Sequence, residues 1–141
     1  MQTDFAPRDR SSYRFWTTIP IRFADQDILG HVNNAAIAIY LEHARCLALL
    51  PLIERANLPD INIVLARIII DYLREIRYPG SVDVGIRITK RGSKSIVVSG
   101  AVFLGDDCCV VSEATIVFFD LSTRRSAVPP DSVSRGLDDL T

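Results

Sequence analysis

Apolar and polar positions alternate with different periods along this chain, and the periods divide it into elements. From Ala35 to Leu50, sixteen residues run without Gly or Pro, and only Glu42, His43 and Arg45 among them are charged or titratable near neutrality. Ala and Leu dominate that run, which predicts a helix ended by Pro51. At about 1.5 Å per residue it is roughly 24 Å long. Phe15 to Phe23 reads as a first strand, with Pro20 marking an edge or a bulge. Ile63 to Ile70 is nearly unbroken β-branched and apolar sequence, the pattern of a strand covered on both faces. After the Pro79-Gly80 turn, Val82, Val84, Ile86 and Ile88 alternate with Asp83, Gly85, Arg87 and Thr89, which marks a half-buried strand. A basic turn, Lys90 to Lys94, leads to a strand at Ser95–Leu104. Gly105-Asp106-Asp107 turns the chain into a last strand, Cys108–Asp120.

The order is strand, long helix, then four strands joined mostly by short turns, which makes an antiparallel sheet. A helix apolar on nearly every side needs covering, and so does one face of the sheet. The economical solution is an α+β hotdog fold, a five-stranded antiparallel sheet wrapped around a long central helix. Residues 1–12 read as a flexible polar start, 13–128 as the folded domain, and 129–141 as a tail whose Asp131 or Ser132 caps a short helix.

Composition narrows the function classes. At 141 residues the chain is one domain with room for a real core, and its 48% hydrophobic content is that of a globular protein. A net charge of −1 offers no electrostatic footprint for nucleic acid. A sixteen-residue apolar run that contains charges is short for a membrane span of about 20 residues. The N-terminal dozen holds charges and no apolar core, unlike a signal peptide. Cys46, Cys108 and Cys109 are odd in number and lack metal spacing. They read as small apolar packers in a reduced, cytoplasmic protein.

The chemistry concentrates just before the helix. Asp25 to Asn34 packs two acids, a glycine, a histidine and two asparagines into ten positions. Asn33 or Asn34 is a good N-cap, and Gly30 permits a sharp turn. The cluster therefore stands where backbone N–H groups are unpaired and the helix dipole is positive, a place that suits a polarised carbonyl. Read from the residues alone, Asp27 is either a reactive carboxylate or an ordinary turn acid. Asp25 reads as structural. His31 either orients water or sits as a satisfied turn histidine. A calcium-loop reading fails on spacing, and no metal or other cofactor is expected.

The run Asp25-Gln26-Asp27-Ile28-Leu29-Gly30-His31-Val32-Asn33-Asn34 resembles the D-x-D-x-x-G-H-V-N-N signature of hotdog-fold acyl-CoA thioesterases of the 4-hydroxybenzoyl-CoA thioesterase-like type. Ile70–Arg74 and Arg91–Ser95 are similar to two weaker blocks on later strands, so the resemblance runs from about Tyr13 to Pro130. It implies hydrolysis of an acyl-CoA to free acid and coenzyme A, with Asp27 as nucleophile or general base and His31 and Asn33 beside it. The backbone N–H groups of Val32, Asn33 and Asn34 would form the oxyanion hole. It also implies a homodimer or homotetramer with sites between subunits. Where relatives often carry an aromatic residue early in the helix, this chain has Ala36-Ile37, which bears on the acyl pocket.

Two further assignments follow. Arg91, Lys94 and Ser95 in the basic turn are candidates for the phosphates of coenzyme A, against a plain solvated hairpin tip. Glu42 is the substitute acid, against an ion pair with Arg45 at i, i+3. Two other activities share the pattern, hydrolysis of acyl groups carried on a protein and non-catalytic binding of acyl-CoA.

Overall fold

The computed structural model describes residues 5–141. It contains strand β1 (Phe15–Pro20), helix α1 (Asn34–Ala56), strands β2 (Ile61–Tyr72), β3 (Ser81–Arg91), β4 (Ser95–Leu104) and β5 (Asp107–Asp120), a short β6 (Arg125–Ser126), and helix α2 (Asp131–Gly136). The sheet runs β1-β3-β4-β5-β2, every neighbouring pair antiparallel, with β6 as a sixth strand paired to the end of β5. It curls around α1, as the hotdog expectation requires.

The inner face of the sheet is the alternating set read from sequence. Val82, Val84, Ile86 and Ile88 of β3 join Ile96, Val98 and Val102 of β4 and Val110, Ala114, Ile116 and Phe118 of β5. Against them α1 lays one stripe: Ile37, Tyr40, Leu41, Ala44, Ala48, Leu49 and Ile53. These positions recur three and four residues apart, as one face of a helix must. At the closest approach, a Cβ on Gly100 would lie 3.1 Å from Leu41 Cδ2 and 2.9 Å from Ser112 Oγ, so the helix seats on β4 only because that position has no side chain.

Several expectations are corrected. β1 stops at Pro20, and Phe23–Asp25 forms a 3-10 turn instead of more strand. α1 does not end at Pro51 but runs through it to Ala56. The proline sacrifices one N–H and crowds the preceding turn. The residues beyond it still pack, Ile53 in the core and Leu52 against Gly136 of α2, and that packing keeps the last turn helical. Asn57, in the left-handed conformation at φ 52°, closes the helix. At 23 residues α1 is long and apolar enough to cross a membrane, which the sixteen-residue reading excluded. Half of its most apolar window is buried against the sheet as a core helix.

α1 is not wrapped all round, and β2 is not covered on both faces. Ile39 and Leu47 are exposed on the outer side of α1, as are Val64, Leu65, Ile69 and Tyr72 on β2. Among the described residues β2 is a sheet edge, paired only with β5. Its apolar sequence thus faces solvent in a single chain.

Of the segment expected to be flexible, residues 1–4 lie outside the described residues. The rest is held to the sheet. Arg10 stacks over Trp16 at 4.4 Å and bonds Asp83 and the Gly105 carbonyl, and Phe5 meets Tyr13 edge-on. The 129–141 tail is also part of the fold, with Val133, Leu137 and Leu140 in the core. Neither Asp131 nor Ser132 caps α2, whose N-cap is Pro130.

Candidate active site

The loop before α1 is built by its own short-range bonds. Gly30, at φ +80°, completes a turn in which the Gly30 N–H donates to Asp27 O and the Asp27 N–H to His31 O, both at 3.0 Å. The Leu29 N–H donates to Asp27 Oδ1 at 2.9 Å, an Asx turn that fixes the carboxylate. Its second oxygen, Oδ2, lies 3.9 Å from His31 Nδ1. His31 Nε2 lies 4.0 Å from Glu75 Oε1, so the imidazole stands between two carboxylates. The Asp27 side chain is 22% exposed, neither buried nor turned out into bulk water.

Beside the imidazole a cleft of about 230 Å3 opens between the start of α1 and the β2–β3 connection. His31, Asn34, Ile37, Tyr72 and Glu75 line it. Asp27 stands behind His31 and does not line the cleft. The volume is somewhat below the roughly 300–1,000 Å3 typical of small-molecule pockets.

The expected oxyanion donors are corrected. The Val32 N–H donates to Ile76 O at 2.7 Å and the Asn33 N–H to Asp25 O at 2.8 Å, which pins the loop to its neighbours and uses both donors. Asn33 caps the helix through its side chain, accepting the Ala35 N–H at 2.8 Å. Among the described residues, this leaves the N–H groups of Asn34 and Ala36 without an acceptor at the positive end of the helix. Asn34 is therefore the one member of the expected trio whose amide is free, and Ala36 is a donor that sequence reasoning missed.

Asp25 is structural, as expected. It is buried and accepts from the Arg22 guanidinium, the Arg22 backbone N–H at 2.9 Å and the Tyr40 hydroxyl at 2.5 Å. Burial pushes its pKa up, but these donors outweigh burial and hold the carboxyl below the usual range. A depressed pKa stabilises the fold fully above the unfolded value of about 4, and that contribution is lost as pH falls through the lower folded value. Asp25→Asn is expected to cost about 2 kcal/mol at neutral pH. It should also flatten the acid limb of the stability curve. Urea titrations at neutral and acidic pH measure both.

The structure separates the other candidates from this cleft. Glu42 is exposed on α1, eight residues past Asn34, about 12 Å along the axis. It makes no ion pair with Arg45, which corrects that expectation. The guanidinium of Arg91 is held by Asp138 and by Ser134 O and Oγ, so it fastens α2 to the sheet and is not free for a phosphate. Ser95 and Lys94 lie at the far end of the sheet. Ser95 pairs with Val117 and Tyr72 with Val110, seven residues apart on β5, or roughly 24 Å. Tyr72 and Glu75 are cleft residues that received no site role from sequence. Tyr72 falls inside the Ile70–Arg74 block, and Glu75 carried no signal. Among the described residues no group of three or more His, Cys, Asp or Glu is placed to hold a metal ion.

The thioesterase-like superfamily model matches residues 21–137, from the start of the loop to α2. The chain belongs to that superfamily. Among curated proteins it is similar to the uncharacterized protein YsmA of Bacillus subtilis, 26% identical over 98 residues, which cover 70% of this chain and 65% of YsmA. The match thus spans just under two thirds of that relative. Among solved structures it is similar to the PA5185 protein of Pseudomonas aeruginosa PAO1, with TM-score 0.84 and 25% identity over 94% of this chain and 95% of that one. It is also similar to a thioesterase of Thermus thermophilus complexed with coenzyme A and Zn. There the TM-score is 0.79 and the identity 27%, over 91% of this chain and 94% of that one. In this member of the superfamily the acid-rich loop and the helix start are adjacent in space, and the cleft lies against both.

Proposed function

We propose that this chain hydrolyses acyl-CoA thioesters to a free carboxylic acid and coenzyme A. One observation carries the reading. A partly exposed carboxylate, Asp27, is held by one oxygen, and its other oxygen faces His31 at the wall of a cleft that also receives the start of α1. The coenzyme A complex of the Thermus thioesterase supports the choice of thiol carrier.

In this reading the acyl group enters through the cleft and its thioester carbonyl passes beyond the His31 ring to meet the Asp27 carboxylate, with its oxygen toward the Asn34 and Ala36 N–H groups. Preorganised donors of this kind stabilise the charge that develops there, each by about 3 kcal/mol. Attack follows one of two routes. Asp27 adds to the carbonyl, expels the thiolate and leaves a mixed anhydride that water opens, or Asp27 takes a proton from water as the water attacks. A single turnover in heavy-oxygen water separates them, because only the anhydride route can leave the label in the protein. Thiolate is a good leaving group, so no strong acid is required.

The active assembly is a homodimer, or a tetramer built from dimers. β2 presents an edge unpaired among the described residues and rich in exposed apolar side chains, and the cleft is somewhat smaller than a typical small-molecule pocket. Antiparallel pairing of two β2 edges reverses the second copy, which brings its Lys90–Lys94 hairpin round to the end of the sheet that holds the first copy's cleft. Lys94 would then serve the partner's site. Free thiols at Cys46, Cys108 and Cys109 fit a cytoplasmic setting. The test is a panel of acyl-CoAs with released thiol as readout. Release from at least one acyl-CoA, lost on changing Asp27, is expected; no release across aromatic and aliphatic chains of all lengths overturns the reading.

A further inference from the structure

Helix α1 and strand β2 run in opposite directions and leave a seam between them. The cleft described above lies at one end, between Asn34 and Ile37 of α1 and Tyr72 of β2. A second cavity of about 90 Å3 lies further along, between Arg45, Cys46 and Leu49 of α1 and Ile63, Val64 and Leu65 of β2. Apart from Arg45 and Glu42, its walls are apolar or thiol.

Arg45 is the anomaly there. It is only 6% exposed, and its guanidinium makes no hydrogen bond or ion pair among the described residues. Nη1 in particular is fully enclosed without an acceptor. Burial lowers its pKa, and the nearby Glu42 and Cys46 oppose that only through space. Glu42 stands exposed at the same cavity and does not reach it. A buried guanidinium without a partner is strongly unfavourable, since the charge has left water and gained nothing in exchange. Its planar fork of donors matches a carboxylate better than any other common group.

We propose that Arg45 is a specificity-determining residue, and that the α1–β2 cavity receives the far end of an acyl group carrying a carboxylate or similar acceptor oxygen. This rests on the acyl-CoA reading and names its substrate class. A mostly apolar cavity with one fixed polar group is the usual construction of a selective ligand pocket. Arg45 lies eleven residues past Asn34, about 16 Å along the axis, and its side chain leans back toward the helix start. The separation suits a medium-length acyl chain with its thioester at the cleft and its distal carboxylate on Arg45. An uncharged tail gains nothing from this site, because Arg45 is as unpaired with it as without it, whereas a carboxylate tail supplies the missing acceptor.

The experiment compares sebacoyl-CoA with decanoyl-CoA, chains of equal length with and without the terminal carboxylate, on the wild type and on R45M. The wild type is expected to favour sebacoyl-CoA in kcat/KM. R45M should lower that value by roughly ten- to a hundredfold and leave decanoyl-CoA within about twofold. R45K, which keeps the charge and loses the fork, should fall between. R45M should melt no lower than the wild type and keep its oligomeric state, because it removes an unpaired buried charge. Equal use of both thioesters, unchanged in R45M, overturns the proposal and leaves the acyl-CoA reading intact. If neither thioester is hydrolysed, that reading has failed, and the subsite is decided by thermal shift with free sebacate against decanoate. A sebacate shift lost in R45M supports it, and no shift overturns it. An R45M chain that falls to a monomer places the acceptor on a second copy and also overturns it. Should R45M fail to fold, R45K decides alone: an undiminished sebacoyl preference overturns the proposal.

Discussion

Replacing Asp27 by asparagine is expected to lower acyl-CoA hydrolysis by about a hundredfold or more while the fold and its assembly stay intact. The two halves of that expectation rest on the two oxygens of the side chain. Oδ1 accepts the Leu29 N–H, and the carbonyl oxygen of an asparagine does the same, so the Asx turn and the approach to α1 survive. Oδ2 faces His31 and carries the lone pair that the proposed reaction uses, and the amide nitrogen that replaces it is neither nucleophile nor base. Positioned proton transfer contributes about 10²–10⁴-fold, and a hundredfold corresponds to about 2.7 kcal/mol in the barrier. Thiol release measures the rate, and circular dichroism with light scattering checks fold and mass. Retained activity would move the chemistry to another acid, Glu75 across the imidazole or Glu42 on the helix.

Ile69→Lys is expected to convert the oligomer to monomer and to reduce hydrolysis by roughly tenfold or more. Ile69 is exposed on β2, a sheet edge that pairs with no second strand among the described residues. A charge on such an edge is how single sheets avoid pairing. In a two-fold pairing the substitution places like charges on both copies at once. Sedimentation gives the mass, and thiol release at matched protein concentration gives the rate. The inner face of β2 still packs through Ile63, Ile68 and Ile70, so the monomer should remain folded. A monomer with full activity would show that one chain holds a complete site and would remove the reason for placing sites between subunits.

Much of this fold was legible in the order of the residues. The alternation of Val82, Val84, Ile86 and Ile88 marks a strand with those four on one face, and a long run of Ala and Leu marks a helix. That the other face of the strand is not solvent-exposed, Gly85 and Arg87 being buried beneath Tyr13, Trp16 and Ser12, is a tertiary effect the alternation does not show. Asp25 as a structural acid, Asn33 as a cap and Gly30 as a turn were readable because each acts on backbone within a few positions of itself. Three further features were not. Pro51 is a helix breaker by local rules, and only the packing of Leu52 and Ile53 against α2 and the core overrides it. The apolar character of β2 looked like burial on both faces, but hydrophobicity does not say whether the cover comes from the same chain. Arg91 looked like a free cation in a basic turn, and only the return of the C-terminal residues shows Asp138 and Ser134 already on it.

By itself, the sequence determined the main strands and the long helix, the curled sheet around that helix, and the place of the acid-rich loop at its start. All of these follow from contacts between residues close in the chain or from a repeating pattern. The tertiary structure decided which N–H groups are free at the helix start, because Ile76 and Asp25 reach in from elsewhere to take two of them. It also decided that Glu75 and Tyr72 share the cleft with His31, and that Arg45 is buried without a partner among the described residues. Each of those depends on groups brought together across many residues of chain, and no local pattern carries that information.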